Sequence, residues 1–205
     1  MNIISAFTLF KQDIYRKLLL ENKSTHLGNV FLCLWNRGVI SVLIYRLKRY
    51  LYLKESKPLR LIIWLLKFAE FHICHSEIDP RAQIAGGFVL SSMGGVSLSY
   101  AIIIGENCTF MGKATPTLGA MEDIQASDRI IIGSHCVLGH NVKIINPVSI
   151  ANGVQIKANS VVFSSIKKEA VVVSGFPAKI IASHTMADAE AWNPLQGNFG
   201  LTTVI

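Results

Sequence analysis

No run in this 205-residue chain approaches the ~18–20 consecutive apolar residues that a bilayer-spanning helix needs. The best stretch, Leu61 to Cys74, is interrupted by Lys67, Glu70 and His72. Charge is scarce: 16% of residues are charged, against 51% hydrophobic and a mean hydropathy of +0.41. Without a span to absorb that apolarity, the composition points to a fold whose strands face inward almost everywhere. The amino terminus has no basic region leading into an apolar core and a small-residue cleavage site, so no secretory leader is expected. The four cysteines (Cys33, Cys74, Cys108, Cys136) form no CxxC pair, and neither they nor the six histidines show metal-ligand spacing. They read as buried free thiols in a reducing compartment, and no metal is expected. The net charge of +7 comes without a nucleic-acid motif, and the basic residues concentrate in the first 70 positions. An acidic small molecule or an anionic membrane surface fits that charge at least as well as nucleic acid.

What the sequence does contain changes character near residue 75. Before it, residues 30–53 place Val39, Val42, Leu43, Leu47, Tyr50 and Leu51 on one side, with Arg46, Lys48 and Arg49 among them. Residues 59–73 carry Leu61, Ile62, Leu65, Phe68 and Ile73 at helical spacing, and Pro58 punctuates the two segments. After residue 75 the period is six. An aliphatic or aromatic residue recurs at Ile78, Ile84 and Leu90 and, after a two-residue slip at Gly94–Gly95, at Leu98, Ile104 and Phe110. A second run is unbroken: Ile132, Leu138, Ile144, Ile150, Ile156, Val162. Four positions after members of these series sit smaller or branched residues such as Ala82, Cys108, Ala114, Cys136, Val142 and Val154. Short strands that turn a corner every six residues give three sides per coil of ~18 residues. The large residue points into the prism and stacks on its counterpart one coil away. The expected fold is mainly β: a left-handed parallel β-helix, a hexapeptide-repeat solenoid, preceded by an α-helical segment. Residues 1–75 form the helical segment, 76–182 the β-helix and 183–205 a tail. Residues 111–131 break the repeat and read as an extruded loop.

The repeats, the helical front end, the extruded loop and the closing Ser174-Gly175-Phe176-Pro177-Ala178-Lys179 together resemble the serine acetyltransferase branch of the hexapeptide-repeat acyltransferases. Within that branch the short front end is most similar to the polysaccharide O-acetyltransferases of capsule and colanic-acid type. The resemblance covers roughly residues 35–182. It implies a homotrimer, acetyl-coenzyme A as acyl donor, and active sites between neighbouring β-helices. It also implies a histidine base, oriented by a carboxylate, that takes the proton of an acceptor hydroxyl. The carboxylate matches Glu77. The family's catalytic histidine falls on Ser92, and its loop histidine falls on or near Arg129, so both usual histidines are absent. The coenzyme-contacting corners match Gly139, Lys157, Ala158, Gly175 and Lys179.

His140 lies two residues after an inward aliphatic residue, the register that the family histidine occupies in its own coil, and is the first candidate for a substitute base. Glu77 is its supporting carboxylate and His135 the weaker alternative. Ser91, Ser92 and Arg129 are candidate acceptor-binding residues. The expected activity is acetyl transfer to a sugar hydroxyl of a surface polysaccharide or its precursor. Alternatives are a serine acetyltransferase of cysteine biosynthesis and an inactive β-helix that binds coenzyme or glycan. The expected location is cytoplasmic, with peripheral contact at the inner face of the membrane. That contact follows from the aromatic and basic residues of 45–54 and 59–67.

Overall fold

The computed structural model describes residues 3–54, 57–91, 95–117, 128–145, 147–191, 193 and 203–204. Four helices come first: α1 (Ile3–Leu20), α2 (Leu27–Leu34), α3 (Arg37–Tyr52) and α4 (Lys57–Ala69). The pattern over 30–53 is therefore two helices. Asn36 has extended backbone and caps α3, its side-chain oxygen accepting from Gly38 N at 2.9 Å. α4 widens into a π turn over Glu70–Cys74, which ends at His75 in the left-handed region (φ 50°).

Short parallel strands follow, most of them pairing with the strand three places further along, so the chain visits three faces in rotation. The first face holds β1 (Glu77–Ile78), β4 (Ser97–Leu98), β7 (Thr115–Thr117), β10 (Lys143–Ile145) and β13 (Val161–Val162). On the second lie β2 (Gln83–Ile84), β5 (Ile102–Ile104), β8 (Ile130–Ile132) and β11 (Ser149–Ile150). The third carries β3 (Val89–Leu90), β6 (Thr109–Phe110), β9 (Val137–Leu138), β12 (Gln155–Ile156) and β14 (Val171–Gly175). β15 (Ala178–Ser183) turns back antiparallel on β14, and β16 (Thr203–Val204) on β15. Between these last two strands, α5 (Met186–Ala191) packs on Gly153. All twelve members of the period-six series are buried, as are the small residues of the corners. Buried residues of α1 and α3 join the same core.

The expected loop 111–131 is narrower than its sequence suggested. Thr115–Thr117 is a strand in register with Lys143–Ile145, and the strand β8 begins at Ile130. Pro116 takes the inward position opposite Ile144, and a proline there hides the strand from an aliphatic count. The central part, 118–127, lies outside the described residues.

The helices close the open end of the stack. The first strand of each face has no preceding rung to hydrogen-bond with, and unpaired backbone groups are costly when buried. Basic side chains supply the donors. Arg46 reaches Ile84 O and Ala85 O at 2.6 Å each, Lys48 reaches Ile78 O at 2.7 Å, and Tyr45 Oη reaches Ala82 O at 2.8 Å. Arg16 of α1 reaches Gly87 O at 2.8 Å and Cys108 O at 3.0 Å. Their charges are balanced beneath the surface. Asp13 accepts from Arg46 at 3.0 and 3.2 Å and from Phe88 N at 2.8 Å. Glu70 accepts from Lys48 and, at 3.0 Å, from Ser41. Burial nevertheless pushes both carboxyl groups above their ordinary values, with Arg46 and Lys48 opposing it. This corrects the reading of 45–54 as a lipid-facing run: Arg46 and Lys48 are 2% and 0% exposed. Among the described residues, no single helix is long and apolar enough to cross a membrane.

Candidate functional site

The third face ends in a corner where successive rungs superimpose the same positions. The register Val89↔Thr109↔Val137↔Gln155 continues into Ser91, Met111, Gly139 and Lys157. Their backbone N–H groups donate in turn to Phe110 O, Leu138 O, Ile156 O and Val173 O at 2.8–2.9 Å. One residue further along each rung come Gly112, His140, Ala158 and Gly175. The corner then turns through a left-handed residue: Gly95 (φ 76°), Lys113 (50°), Asn141 (56°) and Asn159 (59°). Asn141 Nδ2 donates to Asn159 Oδ1 at 2.9 Å, so the asparagines form a short side-chain ladder along the turn.

This corner gathers much of the expected site. His140, Gly139, Lys157 and Ala158 are neighbours on adjacent rungs. His140 is half-buried, and its carbonyl accepts from Asn159 N at 2.9 Å. Gly139 is required by close approach, because a Cβ there would stand 2.5 Å from Ala158 N. Gly175 (φ 105°) closes the column at the β14–β15 turn, and the exposed Lys179 follows it in β15. Lys157 and Lys179 are cations of the kind that phosphate groups require. Ser91 lies in the same corner, half-buried, two rungs before Gly139. Rungs ~4.8 Å apart separate Ser91 from the His140 rung by roughly 10 Å. Ser92 itself lies outside the described residues.

The other candidates are elsewhere. Glu77 opens the first strand of the first face. It is exposed, with Lys67 Nζ 3.5 Å from its carboxylate, whereas His140 sits several rungs away. Glu77 therefore does not orient His140 within one chain, which corrects that pairing. His135 is at a different corner, in the left-handed region (φ 58°), like Gly87, Asn107 and Gly153 on its neighbouring rungs. There it lines a polar cleft of ≈ 650 Å³ with Gln12, Arg16, Glu106, Asn107 and Glu190. Arg129 is exposed at the edge of the excursion. His75, two residues before Glu77 and not among the sequence candidates, lies on this same corner's turn. It is exposed, and its carbonyl accepts from Gly95 N at 2.8 Å. Its spacing was the available signal: it stands three residues before Ile78, as Asn141 stands three before Ile144.

Among the described residues there is no cluster of three or more histidine, cysteine or acidic side chains able to hold a metal ion. All four cysteines are buried and unbridged. Cys108 and Cys136 stack on adjacent rungs, each thiol directed at a backbone carbonyl, Gly133 O at 3.1 Å and Ala151 O at 3.2 Å.

No protein-family model matches the chain. It is similar to serine acetyltransferases, with 29% identity over 178 residues to that of Staphylococcus epidermidis (84% of this chain, 74% of that one). Identity to the enzyme of Buchnera aphidicola is 28% over 149 residues, 72% of this chain; the match spans 55% of that enzyme, little more than half its length. A putative lipopolysaccharide biosynthesis O-acetyl transferase of Escherichia coli matches at 45% identity, over 58 residues and 28% of this chain. Among solved structures, the serine acetyltransferase of Neisseria gonorrhoeae superimposes with a TM-score of 0.76 at 21% identity (93% of this chain, 72% of that one). The Brucella abortus enzyme, solved in complex with coenzyme A, does so at 0.74 and 20% identity (87% and 68%). These superpositions establish the fold as that of the hexapeptide-repeat transferases. The sequence relatives overturn the expectation of a polysaccharide acceptor. The relatives that match across most of the chain are serine acetyltransferases, while the lipopolysaccharide-type match is confined to a short segment.

Proposed function

We propose that the chain is an O-acetyltransferase that moves an acetyl group from acetyl-coenzyme A to the hydroxyl of serine or a serine-like amino acid. In this reading the three faces close into a left-handed parallel β-helix, residues 76–182, and three copies assemble around their faces. The observation that carries it is the corner column. Gly139, Ala158 and Gly175 put small residues on three successive rungs of one edge, with His140, Lys157 and Lys179 beside them. Serine acetyltransferases match over most of the chain, and one structural neighbour of that name is solved with coenzyme A.

The bound donor supplies an activated thioester carbonyl. Lys157 and Lys179 would neutralise phosphate oxygens, and the glycines allow the backbone a close approach. His140 would accept the proton of the serine hydroxyl as its oxygen bonds to the acetyl carbon. It would return that proton to the sulfur as the carbon–sulfur bond breaks. A neutral imidazole nitrogen offers a basic lone pair, which a hydroxyl such as Ser91 or Ser92 does not. Acetyl-coenzyme A and L-serine offered together should release free thiol, and His140→Ala should lower kcat by 10²-fold or more with little change in coenzyme affinity. Full turnover by His140→Ala would remove His140 from the mechanism.

The roughly 10 Å between the Ser91 rung and the His140 rung favours a second reading: a coil that binds coenzyme without transferring acetyl. Calorimetric binding of coenzyme A with no thiol release from L-serine would select it.

A further inference from the structure

α4 has an unusual outward face. Leu61, Trp64, Leu65 and Phe68 all project from it, each between 52% and 65% exposed, and Phe71 of the π turn continues the stripe at 59%. At 100° per residue these positions lie on one side of the helix. Arg60, Ile63 and Lys67 form the adjoining flank. They line a cleft of ≈ 600 Å³ with Leu51, Tyr52, Asp79, Pro80 and Arg81, where the first coil meets α3. The sequence from 57 to 69 contains no carboxylate. Of the nearby acids, Asp79 is held by both ends of Arg81 at 3.0 Å, and Glu77 faces Lys67 at 3.5 Å. Arg60 has no ion-pair partner among the described residues.

We propose that α4 docks the protein on an anionic lipid surface. Trp64, Leu65 and Phe68 enter the headgroup–acyl boundary, and Arg60 and Lys67 meet lipid phosphates from the flank. The order of the faces carries this. An apolar stripe pointing out, cations beside it and the protein body behind is the arrangement of a helix lying in the interface plane. Thirteen residues span only ~20 Å, too short to cross a ~30 Å core, so the helix lies on the bilayer. Charge complementarity separates this occupant from a second copy of the chain. An isologous contact would bring Arg60, which has no ion-pair partner among the described residues, towards its own copy, whereas an anionic leaflet satisfies it. Arg46, Lys48 and Arg49 of α3 take no part, being spent on carbonyls of the first rung.

The test is flotation of the full chain with vesicles of phosphatidylcholine alone, and with about 30% phosphatidylglycerol added to supply anionic charge. The expected result is co-flotation with the anionic vesicles only, weakened by high salt. Trp64→Glu with Leu65→Glu should abolish it while the circular dichroism spectrum is unchanged. Arg60→Glu should weaken partitioning about fivefold or more, the loss expected per cation removed. No flotation with either vesicle would overturn the proposal, as would equal flotation with both or retention by the double variant. A fall in solution mass on Trp64→Glu, with no flotation of the parent, would identify the face as a contact between copies instead.

Discussion

At the scale of single residues, the stack tolerates little because each position is met by its counterpart one rung away. Gly139→Ala is the clearest case. Gly139 has no left-handed backbone to excuse, so the cost is steric alone: a methyl 2.5 Å from Ala158 N must push a rung aside. Overpacking of this kind costs ~1–3 kcal/mol, and thermal unfolding should show it as a lowered Tm with intact secondary structure. His135 gives the opposite expectation. Its φ of 58° sits between Asn107 at 55° and Gly153 at 67° on adjoining rungs, and asparagine enters that region readily. His135→Asn should therefore keep its Tm and its thiol-release rate; a large fall in rate at unchanged Tm would return His135 to the catalytic group. Lys48→Met isolates a different effect. It leaves Glu70 fully buried with Ser41 as its remaining side-chain partner. Breaking a buried pair costs ~3–5 kcal/mol. Burial already raises the Glu70 carboxyl, and without Lys48 it rises further. A raised carboxyl favours the folded state when protonated, so the variant's deficit should shrink as pH falls from 8 towards 5 and grow as pH rises. A pH-independent gap in Tm between variant and parent would contradict this.

At the scale of elements, the period of six was legible because burial in a stack is strict: every large residue counted in the sequence points inward. The strand Thr115–Thr117 was not, because Pro116 replaces the expected aliphatic residue and the excursion begins directly after it. The helices were legible in kind but not in extent. A continuous apolar pattern over 30–53 concealed the break at Asn36, whose cap is a single side-chain oxygen. Asn36→Ala should cost ~1 kcal/mol and lower Tm by roughly 2–4 °C for a chain of this size, as scanning calorimetry would show. The basic run in α3 misled for a different reason. Cations among tyrosines and leucines suit a lipid interface, and nothing local shows that they serve carbonyls 30 or more residues ahead, or that Asp13, 33 residues before Arg46, completes the charge. The site was half legible. The common corner of His140, Lys157 and Ala158 follows from counting sixes, but the distance from the Ser91 rung to His140 appears only once the rungs are stacked.

At the scale of the whole molecule, a thin coil has much surface for its volume and gains from lateral association. Its faces are unequal in what they leave uncovered. Outward positions on the first face are polar or charged for the most part: Glu77, Ser97, Thr115 and Lys143. Those on the third are buried at Val89, Thr109, Val137, Gln155 and Val172. On the second face, Ile103 and Ile131 pair with each other on adjacent rungs and point outward, Ile131 43% exposed, between Gln83 and Ser149. Two stacked isoleucines on a parallel face form a patch that a neighbouring copy can cover, and the trimer proposed above would cover it in each copy. Sedimentation equilibrium at micromolar concentration should therefore give three times the 22.6 kDa chain mass. Ile131→Glu would place a charge in the middle of that contact without touching the interior, where Ile130 and Ile132 remain buried. It should shift the protein to monomer while far-ultraviolet circular dichroism keeps its strand signal. If the contact also builds the acetyl-transfer site from two chains, thiol release should fall with the trimer fraction as the protein is diluted. An Ile131→Glu variant that stays trimeric would move the association surface away from this face.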